Sequence, residues 1–179
     1  TNDNAEPVVL RGHKVKVVDL AFSIDGTMLA SASWDGSIGM WPLDGAALDK
    51  SRSARFIYGH EGPVNAVQFS DDSKFLYSAG YDGQIRHWKL ANDEYLRSPV
   101  RNGWGVSVFM VDEKSDLIAF GGSDGQMVIQ RLSDEKVHLR LGEERVPVLA
   151  LFYDDKEGLI GFGNADGRVV LIDTTDWSV

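Results

Sequence analysis

Apolar and polar side chains alternate over short runs along nearly the whole chain. The clearest stretch lies near its middle. Residues 64–69 alternate, a polar turn follows at 70–74, and residues 75–80 form a second apolar run. Tyr81-Asp82-Gly83 then interrupts the pattern before a third run at 84–89 and a fourth near 94–98. A period of two over four to eight residues is the signature of β-strands. Asp-Gly tolerates the positive φ that tight hairpin turns require. Further third-position strands are expected at 37–42, 126–132 and 168–173. Helical periodicity is absent over any useful length, so the reading is all-β.

The pattern repeats. Asp35-Gly36, Asp82-Gly83, Asp124-Gly125 and Asp166-Gly167 close four similar segments at intervals of 47, 42 and 42 residues. Gly12-His13 and Gly59-His60 are also 47 apart, as are Trp41 and Trp88. The frame inside a repeat is therefore fixed, and the five extra residues fall between the first two repeats, around 45–53. A single four-stranded sheet cannot bury both of its faces alone. Stacking such sheets around a ring buries each against the next.

The order Gly-His, alternating strand, Ser31-Ala32-Ser33-Trp34-Asp35-Gly36, then Trp41, resembles the WD-repeat family, and Gly59-His60, Ser78, Asp82 and Trp88 repeat it. The resemblance runs from about Val8 to Asp173. It implies a β-propeller segment of four four-stranded antiparallel blades at about 11–58, 59–98, 102–141 and 144–179. Residues 7–10 would be the outer strand of a preceding or closing blade, and 177–179 the start of another. Part of a larger ring is the expectation; two chains forming eight blades, or a closed four-bladed ring, are the alternatives. The last two repeats depart from the family pattern: Asn102 and Glu144 replace the histidine, Phe120 and Phe162 the serine, Gln130 and Ile172 the tryptophan. The resemblance further implies a structural network in which Trp41 donates to Ser31, Ser31 bridges to His13, and His13 pairs with Asp35. His60, Ser78, Asp82 and Trp88 would do the same in the second blade.

The wording of residues 32–39, 59–67 and 173–177 is also similar to bacterial proteins in which a WD-repeat propeller precedes a c-type cytochrome domain, typically in the periplasm. That resemblance implies haem on a downstream domain and an electron-transfer role as the alternative function. No cofactor is expected on this chain itself, because it has no cysteine to attach haem or form a thiolate metal site.

Composition narrows the partners. Apolar residues are 43% of the chain and charged residues 25%, a normal globular balance, and 19 glycines suit many turns. A net charge of −9 disfavours nucleic acid, which binds clustered Lys and Arg; a basic or peptide-like partner fits better. No apolar run approaches the ~20 residues of a membrane helix, and the most apolar stretch, 146–153, is strand-sized. Blade edges left open would favour self-association.

The residues that look chemical have structural explanations. His13, Ser31 and Asp35, like His60, Ser78 and Asp82, mimic a catalytic triad, yet they recur at one fixed spacing without a nucleophile elbow. Asp71-Asp72, Asp112-Glu113 and Asp154-Asp155 sit where turns favour Asp, which outweighs a calcium reading. His87 and His138 lack metal-ligand spacing and are expected at partly exposed strand positions. Gly121-Gly122 is no phosphate loop, since no helix follows it. The inserted loop, 45–55, reads as tolerated length variation. The expectation is a non-enzymatic scaffold without a metal site that binds a protein or peptide. Its binding rim would be Trp34 and Tyr81, which precede the turn aspartates, and Trp104, in the loop entering the third blade. Lys16, Glu61 and Glu144 would flank them.

Overall fold

The computed structural model describes residues 8–44, 47–48, 54–142, 145–176 and 179. Among them there is no helix. The first blade holds β1 (Val17–Phe22), β2 (Met28–Ser33), β3 (Ser37–Asp44), the two-residue β4 (Ala47–Leu48) and β5 (Arg55–Tyr58). β1, β2, β3 and β5 pair in that order, and β4 folds back on the end of β3. The second blade is β6 (Val64–Phe69), β7 (Phe75–Gly80), β8 (Gln84–Lys89) and β9 (Glu94–Arg101), and the third is β10 (Val106–Asp112), β11 (Leu117–Gly122), β12 (Met127–Arg131) and β13 (Val137–Leu141). The fourth has β14 (Val148–Asp154), β15 (Leu159–Asn164) and β16 (Val169–Asp173), three strands among the described residues. All pairings are antiparallel, and the four sheets are four propeller blades.

β6, β7 and β8 lie at the positions the alternation predicts. β9 outruns its expected end at 98 because Gln84 pairs with Arg101 and Ile85 with Val100, with register shifts absorbing the mismatch. Val8–Leu10 carry no strand in the structure. Pro7, Trp177, Glu144 and most of the inserted loop lie outside the described residues.

Two devices recur in every blade. Each inner strand carries a register shift near its start, at Val17/Asp19, Val64/Ala66, Val106/Val108 and Val148/Ala150. Such a bulge increases local twist. Each Asp-Gly turn has the glycine N–H bonded to the carbonyl three residues back, at Ser33, Gly80, Gly122 and Asn164. Only the glycine takes positive φ, between 76° and 88°, and the aspartate does not. The aspartate instead accepts the N–H two residues on: Ser37, Gln84, Gln126 and Arg168 donate to Oδ1 of Asp35, Asp82, Asp124 and Asp166. The pair is retained in all four repeats because each residue has its own local task, the carboxylate capping the turn and the glycine bending it.

The cores lie between blades. Ala30, Ile38 and Met40 of the first meet Val64, Val67, Phe69, Leu76 and Trp88 of the second. Tyr77 and Ile85 of the second meet Val106, Ile118 and Phe120 of the third. Met110, Met127 and Ile129 of the third meet Ile160, Phe162 and Ile172 of the fourth. Polar contacts fix the blades against sliding. Gln68 donates to the Val111 carbonyl at 2.7 Å and accepts the Val111 N–H at 2.9 Å. The Tyr77 hydroxyl donates to Glu113 at 2.9 Å; burial, reinforced by that carboxylate, pushes the phenol well up. Asp19 accepts the Val67 N–H at 2.9 Å, and burial pushes its carboxyl up despite that bond. The inner strands surround a cavity of about 520 Å³ lined by Val18, Asn65, Phe109 and Leu149 among others.

The turn glycines differ in what surrounds them. A Cβ on Gly83 would stand 2.1 Å from the Asn102 carbonyl oxygen, whereas one on Gly167 meets nothing within 4 Å. Gly167→Ala is expected to cost only the left-handed backbone penalty, about 1–2 kcal/mol. Gly83→Ala adds a backbone clash and costs clearly more. Urea denaturation of both variants checks the order.

Candidate functional site

The polar set of the first blade comes together across three elements. His13 lies in the loop before β1, Ser31 on β2, Trp41 on β3 and Asp35 in the turn between the latter two. Trp41 Nε1 donates to Ser31 Oγ at 2.8 Å. His13 Nε2 is 2.7 Å from the same oxygen, and Nδ1 is 3.2 Å from Asp35. In the tautomer with the proton on Nδ1, the chain runs in one direction: indole N–H to serine, serine O–H to imidazole, imidazole N–H to carboxylate. The second blade repeats it. Trp88 donates to Ser78 at 2.8 Å, Ser78 and His60 Nε2 are 2.7 Å apart, and His60 Nδ1 reaches both Asp82 oxygens at 2.9 and 3.0 Å. Each serine is buried and each tryptophan nearly so.

Two members escaped the sequence reading. Ser37 places its hydroxyl 2.5 Å from Asp35 and 3.1 Å from His13 Nδ1. Arg86 reaches Asp82 at 3.4 Å in the second blade. Both stand two or four residues after a turn aspartate, the spacing that returns a β3-type side chain to the turn. As a chemical apparatus the set is unpromising: each serine is buried, its oxygen accepting from the tryptophan and its O–H committed to the histidine.

In the third blade Asn102 still reaches Asp124, at 3.5 Å, but Phe120 is buried in the core and Gln130 donates elsewhere, to the Pro99 carbonyl at 3.0 Å. In the fourth, Phe162 and Ile172 are buried apolar residues, and Asp166 pairs with Arg168 at 3.2 Å.

The acidic pairs are spread over turns and blade junctions. Asp72 accepts from Ser70 and the Lys74 N–H, Asp71 pairs with Lys114 at 3.1 Å, and Asp112 accepts from the Tyr153 hydroxyl at 3.1 Å. Asp154 accepts the Lys156 N–H. No group of three or more His, Asp or Glu is gathered as metal ligands among the described residues. His138 is exposed. His87 is half-buried, but its ring stacks on Tyr77 at 4.4 Å and both nitrogens are buried without a hydrogen bond. Burial, then the nearby Arg97 charge, pushes its pKa down to about 4.

The rim residues fall at one end of the blades. A backbone bond recurs there: the residue before each turn aspartate donates its N–H to the loop entering the inner strand, Trp34 to Lys16, Tyr81 to Pro63, Ser123 to Gly105 and Ala165 to Pro147. This fixes turn and loop side by side in every blade. Trp34, Tyr81 and Trp104 are exposed. The Lys16 ammonium stands 4.8 Å over the Trp34 ring. Glu61 is exposed, with its N–H on Asp82. Trp34 lines the central cavity, and Trp104 lines a second cavity of about 420 Å³ with Ser123, Asp124, Gln126, Arg140 and Arg145. Sequence reading missed the two arginines, which follow no repeat signature.

Two pH windows follow. Burial raises Asp82, but its bonds from His60, Glu61 and Gln84 outweigh this and bring it down to about 2; Asp35 is likewise held low. A carboxylate lowered by folding stabilises above its unfolded pKa near 4 and loses that contribution as pH falls through about 2. His87 titrates in the unfolded chain near 6.5 but in the folded chain near 4. The unfolded state therefore binds more protons between these values, and stability falls as pH drops from 6.5 to 4. His87→Phe should flatten that window in a urea-midpoint-versus-pH series and leave the lower one intact. His60→Ala should cost about 1–3 kcal/mol at pH 7 by leaving the buried Ser78 hydroxyl without its acceptor, measured by the same denaturation.

Comparisons with known proteins agree with this geometry. The family described as WD domain, G-beta repeat matches residues 6–42 and 51–89. The anaphase-promoting complex subunit 4 WD40 domain matches residues 111–178, where the repeat signature is worn. Ribosome assembly protein 4 of Chaetomium thermophilum is 50% identical over 42 residues, 23% of this chain and 8% of that protein. The chain thus spans a small part of that relative. The crystal structure of the computationally designed Ika4 protein superposes with a TM-score of 0.73 at 24% identity, over 94% of this chain and 97% of that one, a likeness of fold. These matches concern WD repeats and the relative is fungal, so they lend nothing to a bacterial, periplasmic cytochrome fusion. With the blades, the twice-repeated Trp-Ser-His-Asp set and both matched families on one chain, it belongs to the WD-repeat β-propeller family.

Proposed function

We propose that this chain is a non-catalytic scaffold that receives a protein segment across the aromatic end of its blades. Interaction through a propeller face is the general role of WD-repeat proteins; the choice of face is particular to this chain. The observation that carries it is the exposure of Trp34, Tyr81 and Trp104 on neighbouring loops of one end. Large aromatics cost little conformational entropy when they bind and dominate interface energetics. Two cavities open beside them, one on the propeller axis at Trp34 and one at Trp104.

The charge distribution supports a peptide rather than a phosphate backbone. The chain carries a net −9, and the cations at this end are Lys16 over the Trp34 ring and Arg140 with Arg145 beside Trp104 and Asp124, not a continuous basic strip.

A displayed random-peptide library selected on the chain tests the reading. Selected peptides should lose about 2 kcal/mol or more of affinity to the Trp34→Ala/Tyr81→Ala double variant, roughly thirtyfold, while circular dichroism stays native. Peptides that bind both proteins equally would move the site elsewhere.

A further inference from the structure

The arginines of the third and fourth blades divide into two kinds. Arg131 pairs with Asp134, and Arg168 with Asp166. Arg140, on β13, and Arg145, in the loop that follows it, are exposed and form no ion pair with any described residue. Both instead line the cavity of about 420 Å³ at Trp104.

The chain holds this cavity in shape. The Ser123 N–H donates to the Gly105 carbonyl at 3.1 Å, which keeps the Trp104 loop beside the turn of Asp124. The Arg145 N–H donates to the Asp124 carbonyl at 3.0 Å. Arg145 takes a φ of 70°, a left-handed conformation that costs any residue with a Cβ. Its counterpart in the preceding repeat, 42 residues earlier, is Gly103. An arginine thus stands where a glycine would be easier, and strain of this kind gathers at binding sites. Asp124 also lines the cavity, but its carboxylate is engaged by its surroundings: Oδ1 accepts the Gln126 N–H at 3.2 Å and Oδ2 the Asn102 amide at 3.5 Å. Two guanidiniums against one carboxylate leave the described lining with an excess of one positive charge.

We propose that this cavity is the subsite for an acidic side chain, Asp or Glu, of the protein segment received at the aromatic end. The proposal rests on that reading of the end and adds the chemistry of one residue of its occupant. Guanidinium forks match the two oxygens of a carboxylate. The Trp104 ring offers an apolar wall to the methylenes that carry it. A single excess positive charge suits a monoanion, whereas a phosphate dianion would stand beside Asp124 with charge uncompensated. The backbone N–H groups of Ser123, Gln126 and Arg145 are already bonded within the chain, so they offer no nest for a terminal carboxylate. The whole chain carries −9, which disfavours an acidic residue over most of the surface. The two arginines therefore also set the register of the bound segment.

Peptides selected from the displayed random library on the unaltered chain, resynthesised with amidated C-termini and titrated by fluorescence polarisation, test this. They should share an Asp or Glu. Replacing that residue by Asn or Gln should weaken binding roughly tenfold or more, and so should Arg140→Gln/Arg145→Gln in the chain. The two changes together should cost little more than either alone. Both arginines are exposed, so the variant should keep its native circular dichroism. Added salt should weaken the acidic peptide and spare its amide counterpart. Peptides that need Trp34 and Tyr81 but share no acidic residue, or that bind the arginine variant equally, would overturn the subsite and leave the aromatic end standing. A selection without binders, or binders indifferent to both sets of substitutions, would overturn the subsite together with the reading it rests on. A free C-terminus that binds far tighter than the amidated one, or a phosphoserine that binds far tighter than the acidic residue it replaces, would assign the arginines to another anion and equally overturn the proposal.

Discussion

Everything in this molecule depends on covering both faces of a thin sheet. A blade of four short strands has apolar side chains pointing to both sides, since successive residues on a strand alternate between faces. It has no interior of its own. Its core is the contact with the next blade, so stability is a property of junctions rather than of blades, and the chain behaves as a one-dimensional stack. The three junctions alternate large and small: alanines of one β2-type strand, Ala30 and Ala32, face Leu76, Phe69 and Trp88 of the next blade. Side-chain bonds such as the paired Gln68–Val111 contact hold the register that the apolar contact alone would leave free to slide.

The polar network is a second solution to a narrower problem. A tryptophan N–H and a serine hydroxyl buried at a junction need partners, and the His-Asp pair supplies them while tying the entering loop to the turn. In the later blades the serine and tryptophan positions are exchanged, for Phe120 and Gln130 in the third and for Phe162 and Ile172 in the fourth. Removing all members of a buried network costs little, whereas removing one orphans the rest. Asn102 persists beside Asp124 because it sits at the edge, where water can complete its bonds. The Asp-Gly turn outlasts the network because its two jobs are local and independent of histidine.

This also explains what could be read without coordinates. The alternation placed β6, β7 and β8, and the repeat frame placed all four turns, because strand period and turn chemistry are local. The end of β9 was not legible: its last pairs, Gln84 with Arg101 and Ile85 with Val100, depend on register shifts that no local pattern encodes. Asp-Gly suggested positive φ for the turn, yet only the glycine adopts it, since the aspartate side chain caps the backbone. His87 was expected at a partly exposed strand position; it is half-buried, and the contact of its ring with Tyr77 and Phe75, and the burial of its nitrogens, follow from cross-strand neighbours that no local pattern names. Arg140 and Arg145 reach the Trp104 cavity from a strand end and a loop that carry no repeat signature. The exposed aromatics were legible because their positions beside the turn aspartates break a frame otherwise occupied by small residues, Ser123 and Ala165.

Native-state hydrogen exchange on the chain asks whether the junctions or the single blades carry the stability. If junctions carry the stability, amides of β6 to β12, in blades covered on both sides, exchange slowest, and those of β1 to β3 and β14 to β16 open at markedly lower free energy. Equal protection across all four blades would mean that each sheet is stable by itself, and the account would fail.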